Sequence, residues 1–307
     1  MPHDHDHGHH GHHHHAAPAS DTAVLWAVVI NVVLTFAQVA GGVVAGSVAL
    51  IADGVHNFSD AAALVLAFGA RRLAKRGPTA MMSFGWERAE VIAALVNYTA
   101  LILVALWLMG EAAGRLFAPP EVKGGIVIWL ATLALVIDLG TAALTWRLSK
   151  ESVNIRAAFL HNLADAGASV AVILGGVMIA LWDLRWVDPV LTIAISVFIL
   201  WHVVQDLGPV LRILMMGTPA ERDGADLVEH LGEIAGVEEV HHLHIWALDE
   251  KRDALEAHLV LAEDADFAAV IAQAKAMLAE QFDLTHVTLE PETRARGCAD
   301  RATGGCA

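Results

Sequence analysis

The chain has 307 residues, of which 56% are apolar and 17% charged, with a mean hydropathy of +0.53. A soluble domain carries about 25% charged residues, so this composition excludes a disordered chain, a collagen and an ordinary cytosolic enzyme, and points to several membrane spans plus a smaller polar part. The net charge of −15 is uneven: from Gly217 onward there are 19 acidic and 7 basic residues, which argues against nucleic-acid binding and fits a cationic partner.

The chain begins with a histidine-rich segment. Nine of its 18 histidines lie in the first fifteen residues, MPHDHDHGHHGHHHH. A secretory signal would need a basic start and an early apolar core, and a purification tag is seldom broken by Asp and Gly as this segment is. Imidazole is a borderline-soft ligand, so residues 1–20 are expected to be a flexible tail that gathers cations such as zinc, copper or nickel. Cys298 and Cys306 fall in the last ten residues, and with no CxxC they imply no disulfide framework.

Six apolar stretches follow. The uncharged run from Thr22 to Ala52 exceeds one span of about 20 residues, and Gly46-Ser47 divides it into helices over 23–45 and 47–69. A third helix runs from Val91 to Gly110 between Glu90 and Glu111, and a fourth over 125–146 contains Asp138. A fifth over 157–181 contains His161 and Asp165, and a sixth over 189–216 ends with Asp206 and Arg212. Basic residues in short loops set orientation. Arg71, Arg72, Lys75, Arg76, Arg88, Arg147, Lys150 and Arg156 stand on one side, against Arg115, Lys123 and Arg185 on the other. The first set is assigned to the cytoplasm, which places both termini there.

The acidic part, 217–292, alternates between helical and strand periodicity. Helices are expected at Ala225–Ile234 and Phe267–Phe282, and strands at Val237–Leu248, Ala254–Leu261 and Thr285–Leu289. The order αββαβ predicts a two-layer sandwich with helices on one face of a sheet. Residues 293–307, after Pro291, are expected to be a disordered tail. The domains are thus 1–20, a six-helix membrane domain 21–216, the cytosolic domain 217–292 and the tail.

Two of the apolar helices carry one pattern. Helix two reads His56-Asn57-Phe58-Ser59-Asp60 and helix five His161-Asn162-Leu163-Ala164-Asp165. His and Asp four apart share a helix face, and two such faces opposed supply two imidazole nitrogens and two carboxylate oxygens, a full tetrahedral set for zinc. An aspartate in hydrocarbon costs about 2.5–3.5 kcal/mol even on the lenient insertion scale, so two of them need a compensating partner; a divalent cation is the obvious one, and polar bonding between helices is the alternative. The repeated Asn either orients a ligand or bonds a neighbouring helix. Asp53, one turn before His56, and Asp138 are accessory candidates, Asp53 on the release path and Asp138 facing the same cavity, with a structural role the equal alternative for each. Because metal binding needs neutral imidazole and ionised carboxylate, protons compete with the metal at such a site.

Further segments resemble the cation diffusion facilitator family of zinc/proton antiporters. Gly41-Gly42 with Gly46-Ser47-Val48-Ala49-Leu50-Ile51-Ala52-Asp53 resembles that family's entry into helix two, and Phe84-Gly85-Trp86-Glu87-Arg88-Ala89-Glu90 its loop before helix three. Trp186-Val187-Asp188-Pro189 resembles its start of helix six, Gly217-Thr218-Pro219 its exit, and Val240-His241-His242-Leu243-His244-Ile245-Trp246 its first cytosolic strand. The likeness covers residues 20–292. It implies six transmembrane helices followed by a ferredoxin-like cytosolic domain similar to metallochaperones, in a Y-shaped homodimer working by alternating access. It also implies that His56, Asp60, His161 and Asp165 are the transport-site ligands. His at the first ligand position resembles the zinc-preferring members. In the cytosolic domain His241 and His258 match metal-binding positions, Glu290 and Glu292 stand where other members have His, Gln or acid, and His286 is a substitute ligand.

The expected function is therefore efflux of a divalent cation, Zn²⁺ first and Co²⁺, Cd²⁺ or Ni²⁺ as alternatives, in exchange for protons. No prosthetic group, enzymatic activity or nucleic-acid partner is expected, and zinc serves as transported and regulatory ion. Short loops without a targeting segment point to a bacterial inner membrane. A ZIP-type importer would bring eight spans and an HExxH-like segment, and an intramembrane zinc hydrolase a general base beside an open metal position. A membrane-anchored metal sensor would not need six spans with paired ligands.

Overall fold

The computed structural model describes residues 21–146 and 153–294. The histidine-rich tail, the basic residues Arg147 and Lys150 and the C-terminal segment from 295 lie outside the described residues.

Six long helices come first: α1 (Asp21–Ala45), α2 (Val48–Ala74), α3 (Ala89–Phe117), α4 (Gly124–Trp146), α5 (Val153–Trp182) and α6 (Val187–Leu214). Helices α2 to α6 each hold a stretch long and apolar enough to cross a membrane, and α1 adds a shorter apolar segment, Val29–Ala45. Several helices extend beyond the sequence-based limits. Glu90 and Glu111 mark the ends of an apolar run in α3, not of the helix, which continues to Phe117 with Glu111 paired to Arg115 one turn on. Charged residues at a span's edge reach the polar interface without breaking the helix. Leu103, Trp107, Trp129, Val136, Leu181 and Trp182 are exposed, an outward apolar surface that lipid covers. The protein is an integral, multi-pass membrane protein.

Small residues let the helices approach. A Cβ added to Gly124 would stand 2.5 Å from the Gly176 carbonyl, so α4 and α5 pack backbone to backbone. Helix α3 lies along α6 and α1 along α2, whereas α2 and α5 come close at only a few residues. At the α1–α2 turn Gly46 has φ +74, and a Cβ there would meet the Glu121 carbonyl at 2.7 Å. The Gly46 carbonyl accepts from Arg115 Nη1 at 2.8 Å, and Lys123 N–H donates to the Ala45 carbonyl at 2.8 Å, which ties this turn to α3 and the α3–α4 loop.

The start of α2 is held by α6. Asp188 accepts from Ser47 Oγ at 2.5 Å, from Val48 N at 2.9 Å and from Ala49 N at 3.4 Å, while Ser47 Oγ accepts from Leu50 N. A carboxylate from another helix thus satisfies the free N–H groups at an N-terminus and complements its dipole. Asp188 and Ser47 are both buried.

The cytosolic domain has the predicted order: α7 (Gly224–Gly232), β1 (Val237–Ala247), β2 (Asp253–Leu261), α8 (Phe267–Phe282) and β3 (His286–Glu292). The sheet order is β1-β2-β3, with β1 antiparallel and β3 parallel to β2. Leu255, Ala257, Leu259 and Leu261 alternate toward a core shared with Leu227 and Leu231 of α7 and Leu278 of α8. Glu256 and His258 lie between them on the opposite face, so the helices cover one side of the sheet. β3 outruns its sequence-based limit, passing through Pro291 to Glu292. It is an edge strand in this sheet, where a proline is tolerated on the unpaired side.

The Asp188 clamp can be tested by Asp188→Ala. Leaving the α2 N–H groups and Ser47 without their acceptor should cost about 1–3 kcal/mol, read as a lower midpoint of thermal unfolding in detergent, with Asp188→Asn falling less.

Candidate metal site

The two HxxxD faces meet. His56 Nε2 lies 3.1 Å from Asp165 Oδ1, and His161 Nε2 lies 3.2 Å from Asp60 Oδ2 and 3.4 Å from Asp165 Oδ2. The imidazole centroids are 5.9 Å apart, and each of the four residues offers a ligand atom within 4.8 Å of all the others. Each histidine therefore pairs with an aspartate of the other helix, across a gap that the α2 and α5 backbones hardly close. His56 Nδ1 is buried without a hydrogen-bond partner. The donor set is nitrogen and carboxylate oxygen in the number and spacing that zinc-class ions take.

The four residues line a cavity of about 600 Å³ together with Asn97, Tyr98, His202 and Asp206, and it continues to Arg71 and Glu90 and to Glu250 of the cytosolic domain. The cavity therefore opens on the side of that domain. Toward the other side the helices are closed by buried polar contacts. Asp53 accepts from Gln38 Nε2 at 2.6 Å, and Gln38 Oε1 accepts from Asn57 Nδ2 at 3.1 Å. Asn57 thus bonds the neighbouring helix α1 instead of a ligand. Asp138 accepts from Ser169 Oγ at 3.2 Å. Neither Asp53 nor Asp138 is among the residues lining this cavity. Both carboxylates are turned into helix–helix contacts, where a hydroxyl or amide donor satisfies them.

His202 and Asp206 were not singled out from sequence as site residues. They form a third His-x-x-x-Asp pair, on α6, and the same i, i+4 spacing that marked α2 and α5 identifies them.

The cytosolic residues also assemble. His241 and His258 face each other in register across β1 and β2, with centroids 5.5 Å apart. Glu292 lies 3.3 Å from His241 Nε2 and 2.8 Å from His258 Nδ1. Both nitrogens are buried and neither contact has hydrogen-bond geometry, so the three residues are placed better for an ion than for one another. Glu290 is farther out, 3.6 Å from His258 Nε2 and mostly exposed. His286 stands apart from this group: it pairs in register with Ala254 and its ring meets Phe84 edge-on at 5.5 Å.

The loop before α3 joins the two domains. Arg88 Nε donates to the Leu248 carbonyl at 3.3 Å and Nη2 to the Ala247 carbonyl at 3.1 Å. Arg252 Nη2 lies 2.7 Å from both Glu87 Oε1 and Asp249 Oδ2. The Glu87 carboxylate, and then that of Asp249, hold the Arg252 guanidinium above its ordinary pKa. The contacts sit beside Glu250 at the cavity mouth, so movement of the β1–β2 turn and of the mouth are linked. With nitroxide labels at positions 83 and 251, the double substitution Arg88→Ala/Arg252→Ala should broaden the distance distribution, and each single substitution should broaden it less.

Residues 24–215 match the model described as the cation efflux transmembrane domain, and residues 219–294 that of the cation efflux protein cytoplasmic domain. The chain is 34% identical over 268 residues to the metal cation efflux system protein CzcD of Cupriavidus metallidurans, covering 87% of this chain and 84% of that protein. It is 32% identical over 263 residues to the cadmium, cobalt and zinc/H(+)-K(+) antiporter of Bacillus velezensis, covering 83% of each. To the zinc transporter ZitB of Escherichia coli it is 33% identical over 260 residues, covering 83% of this chain and 82% of that protein.

Proposed function

The chain belongs to the cation efflux family, and from that premise we propose that it exports divalent cations from the cytosol in exchange for protons, with zinc as the principal cargo. The observation that carries this reading is the set of four ligands, His56, Asp60, His161 and Asp165, at the inner end of a cavity that opens beside the cytosolic domain. The names of relatives, which include zinc, cadmium and cobalt antiporters and a zinc transporter, support the choice of cargo. Two imidazoles and two carboxylates favour zinc by geometry.

The exchange follows from the ligands themselves. On the cytosolic side, where the cavity is open, a cation replaces protons on the histidines and neutralises the two carboxylates, so an otherwise costly pair of charges can rest among apolar helices. Once α2 and α5 shift against their neighbours, the cavity opens on the other side and protons displace the cation. Arg71 in the last turn of α2, the cytosolic domain and the cavity mouth share one side, which supports cytoplasmic termini and an inner membrane of bacterial type. Two protomers associate through the cytosolic domains, whose negative charge is reduced when His241, His258 and Glu292, with Glu290 at the edge, take up regulatory zinc. The histidine-rich tail raises the local concentration of metal at the mouth.

In proteoliposomes, Asp165→Ala should lower zinc flux by about 100-fold or more, since loss of a ligand exceeds the 10–100-fold typical of supporting residues, while the protein stays folded and dimeric. Near-normal flux would remove Asp165 from the path. Deleting residues 3–15 should lower transport at scarce zinc and spare the maximal rate; loss at saturating zinc would instead make the tail part of the path.

A further inference from the structure

We infer that the cytosolic domain holds a second metal site, built from His242, His244 and Glu256, next to the joint between α6 and the domain. The inference uses residues distinct from the transport ligands and from the His241, His258 and Glu292 group, and it does not rest on the transport reading.

The site begins with an irregularity in β1. His241 pairs with His258 and His244 pairs with Glu256, so three steps along β1 match two along β2. The extra residue is a β-bulge, and His242 adopts φ +51 there, in the left-handed region that residues with a Cβ seldom occupy. In a regular strand the residue after His241 would point into the core. With the bulge, Leu243 reaches the core instead and His242 joins His241 and His244 on the open face. The His242 ring stacks on His258 with centroids 4.6 Å apart and meets His244 edge-on at 4.7 Å.

His242, His244 and Glu256 each offer a ligand atom within 4.8 Å of the other two. Small rotamer changes bring two imidazole nitrogens and one carboxylate oxygen to the 2.0–2.2 Å that zinc requires, with water as fourth ligand. A set of three protein ligands, with His244 exposed, suits an ion that exchanges with solvent. It suits zinc-class cations and not calcium or magnesium, which prefer oxygen alone.

Position gives the site its consequence. His244 and Glu256 line a cleft of about 410 Å³ whose other walls include Met216, Thr218 and Gly224, the segment by which α6 passes into the cytosolic domain. Met216 there has φ +55. An ion between His244 and Glu256 binds two strands together under this connection and restrains it. His258 stands between the two cytosolic groups, against His241 on one side and His242 on the other, so occupation of one group orders a ring that borders the other.

The test is zinc binding by the full-length protein in detergent, by equilibrium dialysis, with hydrogen exchange of residues 216–224 as a local readout. His244→Ala/Glu256→Gln should bind one zinc fewer per protomer than the wild type and lose the zinc-dependent slowing of exchange in that segment. His241→Ala/Glu292→Gln should also bind one fewer but retain the slowing. Asp60→Asn/Asp165→Asn should lose the transport ion and retain the slowing, so failure of the transport reading is seen separately. The inference is overturned if His244→Ala/Glu256→Gln, with unaltered zinc-free unfolding, binds as much zinc as the wild type. It is equally overturned if His241→Ala/Glu292→Gln abolishes the slowing, which would make all the cytosolic ligands a single site.

Discussion

Two carboxylates and two imidazoles face each other between apolar helices, and this arrangement constrains the rest of the membrane domain. Each aspartate there would cost about 2.5–3.5 kcal/mol if left charged in lipid. The fold meets that cost by pairing each histidine with an aspartate of the opposite helix. It also leaves a water-accessible cavity on one side, so that a cation or protons can reach them. Because α2 and α5 touch little, the ligands and whatever they hold form much of the link between them. The contents of the site therefore bear directly on how these helices stand, as a carrier requires.

The surrounding structure fixes α2 at its far end. The Asp188 carboxylate caps its N-terminus from α6, Arg115 and Lys123 tie the preceding turn to α3 and the α3–α4 loop, and Gln38 joins α1 to Asp53 and Asn57. These polar contacts lie on the closed side, away from the cavity mouth. At the mouth, Arg88 and Arg252 join the loop before α3 to the β1–β2 turn. One end of α2 is thus held by buried hydrogen bonds, and the loop that follows its other end is joined to the cytosolic domain. In the proposed reading, a cation held by His241, His258 and Glu292 would reduce repulsion between the negatively charged domains of two copies.

Much of this was legible in the sequence because membrane and metal impose strong patterns. Largely apolar runs located the six helices, and the paired HxxxD spacing picked out four residues that the structure brings within 4.8 Å of one another. The αββαβ order followed from alternation such as that of Leu255, Ala257 and Leu259. What was not legible depends on tertiary contact. Nothing near Asp188 signals that it caps a helix 140 residues earlier. Asn57 could have served a ligand or a neighbour, and only the position of Gln38 decides. Asp53 and Asp138 share a helix with ligands or lie near them in depth, but their side chains turn into helix contacts instead of the cavity. The bulge at His242 was hidden as well, because three histidines in four residues look the same whether or not the strand is regular. His202 and Asp206 carry the same spacing on α6, well inside that helix.

The most direct test of the account is the movement of protons that accompanies zinc. The purified protein is placed in vesicles with no imposed pH gradient, zinc is added outside, and lumenal pH is followed with a trapped dye. For protein oriented with its cytosolic domain outward, a site whose histidines and aspartates exchange cation for protons predicts that the lumen becomes more alkaline as zinc enters, with both signals lost together in the Asp60→Asn/Asp165→Asn protein. Zinc entry with unchanged or falling lumenal pH would contradict it.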